Sequence, residues 1–151
     1  LFSGPCGRGK STHTRLWQSA FGEAASVFND DKPALRRLDT GWFAYGTPWC
    51  GKDGINKNEK WPLAGICFLK QAKQNRIQRL TPAKALPLLL GQTLHRLSPE
   101  NMNLLLTHVD RLLREVPVYE LENTPTESAA RLSYETMRPD KPQTGESHEA
   151  E

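Results

Sequence analysis

The stretch Gly4-Pro5-Cys6-Gly7-Arg8-Gly9-Lys10-Ser11-Thr12 constrains this chain more than any other. It has the spacing Gly, four residues, Gly-Lys-Ser/Thr, and it follows the apolar pair Leu1-Phe2. That spacing is the pattern of a phosphate-binding loop. Glycines let the backbone wrap so that successive N–H groups point at phosphate oxygens, and the helix that follows adds the positive end of its dipole. The pattern predicts a helix from Ser11 to Phe21, with Leu16, Trp17 and Phe21 as apolar positions and Gly22 as the stop. In the order strand, loop, helix, the residues Gly4, Pro5, Cys6, Gly7, Arg8, Gly9, Lys10, Ser11 and Thr12 form a nucleotide-binding set. Lys10 would reach the β- and γ-phosphates, and the Ser11 hydroxyl would ligate Mg²⁺. A chance glycine-rich turn is the alternative. Leu1-Phe2 is short for the buried strand that normally feeds such a loop, so further strands are expected upstream.

Past Gly22, the run Ala24-Ala25-Ser26-Val27-Phe28-Asn29 reads as a short buried strand with Asp30 and Asp31 at its end. Beside a Mg-nucleotide, one such carboxylate holds the metal or its water while another accepts a proton from an attacking hydroxyl. Between Lys10 and the acidic pair there is room for one helix, one turn and one strand, which returns the pair to the same end of the sheet as the loop. Lys10, Asp30 and Asp31 are therefore the candidate catalytic residues, and Ser11, Asp30 and Asp31 the candidate metal ligands. A solvated Asn-Asp-Asp-Lys-Pro turn is the competing interpretation.

The loop, the return strand, Asp30-Asp31 and Tyr45-Gly46-Thr47-Pro48-Trp49-Cys50-Gly51 together resemble the HPr kinase/phosphorylase and ATP-dependent phosphoenolpyruvate carboxykinase group. More closely, the blocks resemble small HPr-kinase-like proteins of anaerobic bacteria, from Ser3 to about Met137. The resemblance implies an α/β P-loop fold, a mixed sheet flanked by helices, and ATP with Mg²⁺ as cofactors. In HPr kinases the second aspartate of such a pair accepts the proton of a protein serine, a role that falls on Asp31 by resemblance. In the carboxykinases the corresponding aspartate is a metal ligand, and Asp30 would assist at the metal shell. The glutamate-bearing signature block of true HPr kinases has no counterpart here. Their histidine precedes the loop, so His13 is not its equivalent and reads as a surface or packing residue.

The remaining chain supplies the scaffold. Ala34–Leu38 and Trp42–Tyr45 flank Asp39-Thr40-Gly41 as a hairpin, and residues 48–60 form a ligand-covering loop bracketed by Trp49 and Trp61. Lys52, Lys57 and Lys60 in that loop, and Arg76 and Arg79 beyond it, are open candidates for phosphate contacts or ordinary surface charge. Leu63–Leu69 is nearly continuously apolar and predicts a central strand, while Arg76–Leu80 alternates as a half-buried one. Helices are expected after Thr81-Pro82, with Pro87 shortening or kinking the first, after Ser98-Pro99, and after Thr126. In the second, Leu104, Leu105, Val109, Leu112 and Leu113 form the apolar stripe. Val118–Leu121 reads as the last strand.

With 151 residues, 37% hydrophobic and 25% charged, and a formal net charge of +3, the chain fits one globular domain. Residues 1–137 are expected to form the nucleotide-binding domain and 138–151 a disordered polar tail. The small basic excess favours anionic ligands in general and gives no warrant for nucleic acid. Three cysteines, Cys6, Cys50 and Cys67, lack disulfide or metal-ligand spacing and fit a reducing cytoplasm. No apolar run approaches a membrane span, and no secretory leader is visible. The leading expectation is a Mg-ATP-dependent kinase acting on an unidentified protein or small-molecule phosphoacceptor, with a homo-oligomer left open. The alternative is a catalytically inactive nucleotide-binding regulatory module. A transporter-type ATPase is disfavoured because no Leu-Ser-Gly-Gly-Gln-like signature is present.

Overall fold

The computed structural model describes residues 1–93 and 98–139. In chain order the elements are β1 (Phe2–Ser3), α1 (Lys10–Phe21), β2 (Ala34–Leu38), β3 (Gly41–Tyr45), β4 (Lys60–Pro62) and β5 (Ile66–Gln71). They are followed by β6 (Arg76–Arg79), α2 (Pro82–Leu90), α3 (Pro99–Glu115), β7 (Val118–Asn123) and α4 (Glu127–Met137). Four strands make a mixed sheet in the order β1-β5-β7-β6, with β1, β5 and β7 parallel and β6 antiparallel to β7. The other three form an antiparallel sheet in the order β2-β3-β4. Among the described residues no helix is long and apolar enough to cross a membrane.

The apolar run expected at the centre is there, as β5. Ile66, Cys67, Phe68 and Leu69 are all buried because helices or the second sheet cover both faces of the strand, which is why its sequence shows no alternation. Side chains still divide by the period of two. Ile66 and Phe68 pack with Val118, Ala85 and Leu89 of α2, Val109 and Leu112 of α3, and Trp42 from β3. Cys67 and Leu69 pack on the other face with Leu121, Phe2, Leu132 and Met137. That second face carries α1 and α4, which lie against each other beside the loop that follows β1.

Local signals account for most element ends. Ser98 accepts a hydrogen bond from the Asn101 N–H at 3.3 Å, and Pro99 occupies the first turn of α3, where a missing N–H costs nothing. The hairpin expected around Asp39 forms, with Leu38 paired to Gly41. Pro87 lies inside α2, and the helix runs past it to Leu90. The stripe on α3 is narrower than expected, since Leu104 stands 56% exposed while Val109 and Leu112 are buried.

One expected strand is missing. A 3-10 turn at Gly22–Ala24 leads into an extended Ala25, a bend at Phe28 and an isolated bridge from Asn29 to Asn56. The composition suits a strand, but no strand lies alongside to supply the ladder. β1 correspondingly ends the mixed sheet and pairs with β5 alone. The tail expected to be disordered lies, from residue 140 onward, outside the described residues.

Candidate functional site

The turn from β1 into α1 is built on glycine. Gly4 is buried with φ 142°, and a Cβ there would meet the Leu69 carbonyl oxygen at 3.5 Å and the Arg8 Cβ at 3.7 Å. Gly7 and Gly9 have φ of 80° and 87°, in the left-handed region that side chains disfavour, and Gly9 is the N-cap of α1. The first backbone bond of the helix runs from the His13 N–H to the Gly9 carbonyl at 2.8 Å. The N–H groups of Gly9, Lys10, Ser11 and Thr12 consequently have no protein acceptor among the described residues. Four unpaired donors therefore stand at the positive end of the α1 dipole. Lys10 arches back over the glycine loop and donates to the carbonyls of Gly4 at 2.7 Å and Pro5 at 3.2 Å. Gln71, at the end of β5, holds the far side by donating to the Gly7 carbonyl at 3.2 Å.

Asp30 and Asp31 divide into different jobs. Asp30 Oδ1 accepts the Gly51 N–H at 2.7 Å and Oδ2 accepts the Asp53 N–H at 3.0 Å, so this carboxylate clamps the long loop between β3 and β4. A Cβ on Gly51 would lie 3.2 Å from Asp30 Oδ2, which explains a glycine at that point. The same loop is tied to α1 through an ion pair between Arg15 and Asp53. Asp31 is exposed, and its N–H donates to Asn29 Oδ1 at 3.3 Å. Asn29 in turn donates to the carbonyls of Thr47 at 3.1 Å and Trp49 at 3.2 Å.

Lys10, Ser11, Asp30 and Asp31 line one cavity of about 600 Å³. Gly4, Pro5, Cys6, Gly7, Arg8, Gly9 and Thr12 shape the loop beside it and are not part of its lining. Trp17, Val27, Phe28, Trp61, Leu63 and Met137 supply the apolar part of the remaining wall, which also carries Thr14, Gln18, Ser26 and Arg138. Among the described residues no three His, Cys, Asp or Glu side chains converge as a metal cage.

The basic candidates separate. Lys60 Nζ lies 5.8 Å from the Phe43 ring centroid and 6.0 Å from that of Tyr45, a cation–π position away from the glycine loop. Arg76 and Arg79 belong to β6, at the opposite edge of the mixed sheet from β1, and so lie outside the site. Lys52 and Lys57 are exposed on the clamped loop. Trp61 lines the cavity with its indole N–H on Glu59 at 3.2 Å and is itself 54% exposed, and Trp49, outside the lining, is 62% exposed.

Two supports of the site are illegible in the local sequence. His13, one residue beyond the loop, is fully buried, with Nε2 3.2 Å from the Ser133 hydroxyl of α4. Trp17 Nε1–H donates to the same oxygen at 2.9 Å, so α1 is latched to α4 where it leaves the loop. Burial lowers the His13 pKa from 6.5 to about 4. Burial likewise pushes the Cys67 thiol up to about 12, which leaves it inert, while Cys6 and Cys50 are exposed. The second support is Asn29, whose role had one available signal, an Asx residue immediately before the acidic pair.

No protein-family model, no curated protein and no solved structure matches this chain.

Proposed function

We propose that the chain is a Mg-ATP-dependent phosphotransferase of HPr-kinase-like fold that moves the γ-phosphoryl group to a hydroxyl acceptor, a protein serine or a small molecule. The observation that carries this is the meeting of Lys10, Ser11, Asp30 and Asp31 in one cavity beside four unpaired N–H donors. Those donors suit phosphate oxygens, and Lys10, now held by two backbone carbonyls, has only to swing off them to reach the β- and γ-phosphates. The residues fit Mg²⁺ as well, because this ion keeps several waters and takes only one or two protein ligands beside phosphate oxygens. Ser11 and an aspartate would supply them. Bound there, the ion neutralises charge on the transferring group.

Asp31 is the general base in this reading. It takes the proton of the acceptor hydroxyl as that oxygen bonds to the γ-phosphorus, and the bond to the bridging oxygen breaks to release ADP. Asp30 keeps the covering loop in place while offering its remaining lone pairs to the metal shell. An ATP-dependent reaction of this kind belongs in the cytoplasm.

Calorimetry with Mg-ATP tests the proposal. The parent should bind, Lys10→Ala should bind at least about tenfold more weakly, and Asp31→Asn should bind normally but lose slow ATP turnover by about 10²-fold or more. No binding by a folded parent sinks the proposal. One observation favours a second reading, a nucleotide-binding regulatory module without catalysis: both Asp30 oxygens already serve backbone N–H groups of the loop. Equal turnover in the parent and Asp31→Asn, or none in either, would select it.

A further inference from the structure

The candidate site has two halves, held by different parts of the fold. Lys10 and Ser11 stand on α1, whose side-chain bonds beyond the helix run, with one exception, to the glycine loop or to α4. Lys10 bonds to Gly4 and Pro5, His13 and Trp17 to Ser133, and Ser19 to Glu127 at 2.6 Å. Asp30 and Asp31 ride instead with the long loop between β3 and β4. The Asp30 N–H donates to the Ile55 carbonyl at 3.2 Å, the Lys57 N–H to the Phe28 carbonyl at 2.8 Å, and the Thr47 hydroxyl to the Lys32 carbonyl at 2.7 Å. With the Asp30 carboxylate on the N–H groups of Gly51 and Asp53, these bonds make residues 28–32 and the long loop one unit. The exception on α1 is Arg15. It pairs with Asp53, and among the described residues this is the only hydrogen bond or ion pair from α1 to the long loop or to residues 28–32.

We infer that Arg15 and Asp53 are a positioning pair that sets the spacing between Ser11 and Asp30, and with it the preference of the nucleotide site for Mg²⁺. The inference rests on the Mg-ATP reading above. Arg15 lies one turn beyond Ser11 on the same face of α1, because residues four apart in a helix stack. A line of contacts therefore runs from the helix of Ser11 through Arg15 to the Asp53 carboxylate, and from the Asp53 N–H to Asp30 at 3.0 Å. It passes outside the cavity, since Ser11 and Asp30 line the wall and Arg15 and Asp53 do not. Mg²⁺ demands near-ideal octahedral geometry, so two protein oxygens on separate parts of a fold serve it only as well as their separation is fixed. The phosphate half needs no such help, because the glycine loop and α1 are already fixed to β5 and α4. Arg15 and Asp53 thus bear on the metal rather than on phosphate binding itself.

The test is the double variant Arg15→Gln with Asp53→Asn, which removes the tie and keeps the net charge of the parent, so that a change in geometry is not confused with a change in field. Without nucleotide, amide exchange at Gly51 and Asp53 should quicken about threefold to fivefold, the worth of one exposed ion pair. Calorimetry then compares ATP binding with Mg²⁺ and in EDTA. In the double variant the ratio of the two affinities should fall by about threefold to fivefold, while the affinity in EDTA stays within about twofold of the parent. Unchanged exchange at both amides would show that the pair does not hold the two halves together. An unchanged affinity ratio, or a loss in EDTA as large as the loss with Mg²⁺, would overturn the positioning role. A folded parent that binds no Mg-ATP takes this inference down together with the phosphotransferase reading. A parent that binds, matched by the double variant in every measurement, removes this inference alone.

Discussion

Acid should destabilise this fold through His13. The Ser133 hydroxyl donates to the Ala130 carbonyl at 2.8 Å, so its oxygen is left to accept from Trp17 Nε1–H and from His13 Nε2–H. His13 is thereby the neutral Nε2–H tautomer, and its Nδ1 is buried without a partner among the described residues. A second proton would have to sit on Nδ1 of a ring that is 0% exposed and meets Phe2 edge-on at 4.5 Å. Unfolded, the ring takes up that proton near pH 6.5; folded, it refuses until about pH 4. Between those values the unfolded chain binds more protons, so stability falls as pH falls through the window. The loss is near zero at pH 7, about 2 kcal/mol at pH 5 and about 3.4 kcal/mol below pH 4. Against a total of roughly 5–15 kcal/mol this is large. Urea unfolding followed by tryptophan fluorescence at pH 7 and pH 5 measures it, with His13→Gln as the non-titrating reference that keeps a donor for Ser133. Carboxylate titration is common to both proteins and cancels in the comparison. The parent should lose about 2 kcal/mol more than His13→Gln; equal losses would refute the reasoning.

Leu121 is fully buried at the centre of the face shared by β5, α1 and α4, so Leu121→Ala should cost about 2–5 kcal/mol in denaturant unfolding, while exposed Leu104→Ala should cost less than about 0.5 kcal/mol. A similar cost for both would mean the packing described for α3 and the sheet is wrong. Asp30→Ala should free the loop between β3 and β4: exchange of the Gly51 and Asp53 amides should rise at least about tenfold, the equivalent of one charge-assisted hydrogen bond. Unchanged exchange at those two amides would mean that Asp30 is not the clamp.

What is legible in the sequence follows from the range of the interaction concerned. The hairpin at Asp39, the buried run at Ile66–Leu69, the cap at Ser98 and the helix start at Thr81-Pro82 rest on neighbours within a few residues and form as expected, although the Thr81 side chain makes no capping hydrogen bond. Leu104 falls outside the buried stripe because periodicity gives a stripe but not its width, and the sheet beneath α3 covers only Leu105, Val109, Leu112 and Leu113. Residues 24–29 fail as a strand for a different reason: composition supplies the propensity, but a ladder needs a second chain segment. The site behaves the same way. Lys10 and Ser11 stand out by motif spacing, whereas Asp30 and Asp31 reach the same cavity without the return strand on which the element-length argument relied. The latch between His13 and Ser133 joins residues 120 apart in sequence, and the clamp of Asp30 on Gly51 joins residues 21 apart, distances over which no pattern carries information.

Where the chain breaks local rules is itself informative. A well-formed domain pairs its backbone donors and keeps its residues in ordinary φ regions, and departures cost stability unless function holds them in place. In this chain the Trp42 indole N–H and the Asn123 carbonyl oxygen are buried without partners among the described residues, away from the cavity, and each is a single core atom. Of the six positive-φ glycines among the described residues, Gly22, Gly41 and Gly54 sit at a helix end, a hairpin and the long loop, while Gly4, Gly7 and Gly9 lie in the turn beside the cavity, where the N–H groups from Gly9 to Thr12 are also open. His13 adds a neutral imidazole with one idle nitrogen directly behind the loop, held there by α4. The open N–H groups at the start of α1 are the ones an anion would satisfy, as the proposed reaction requires.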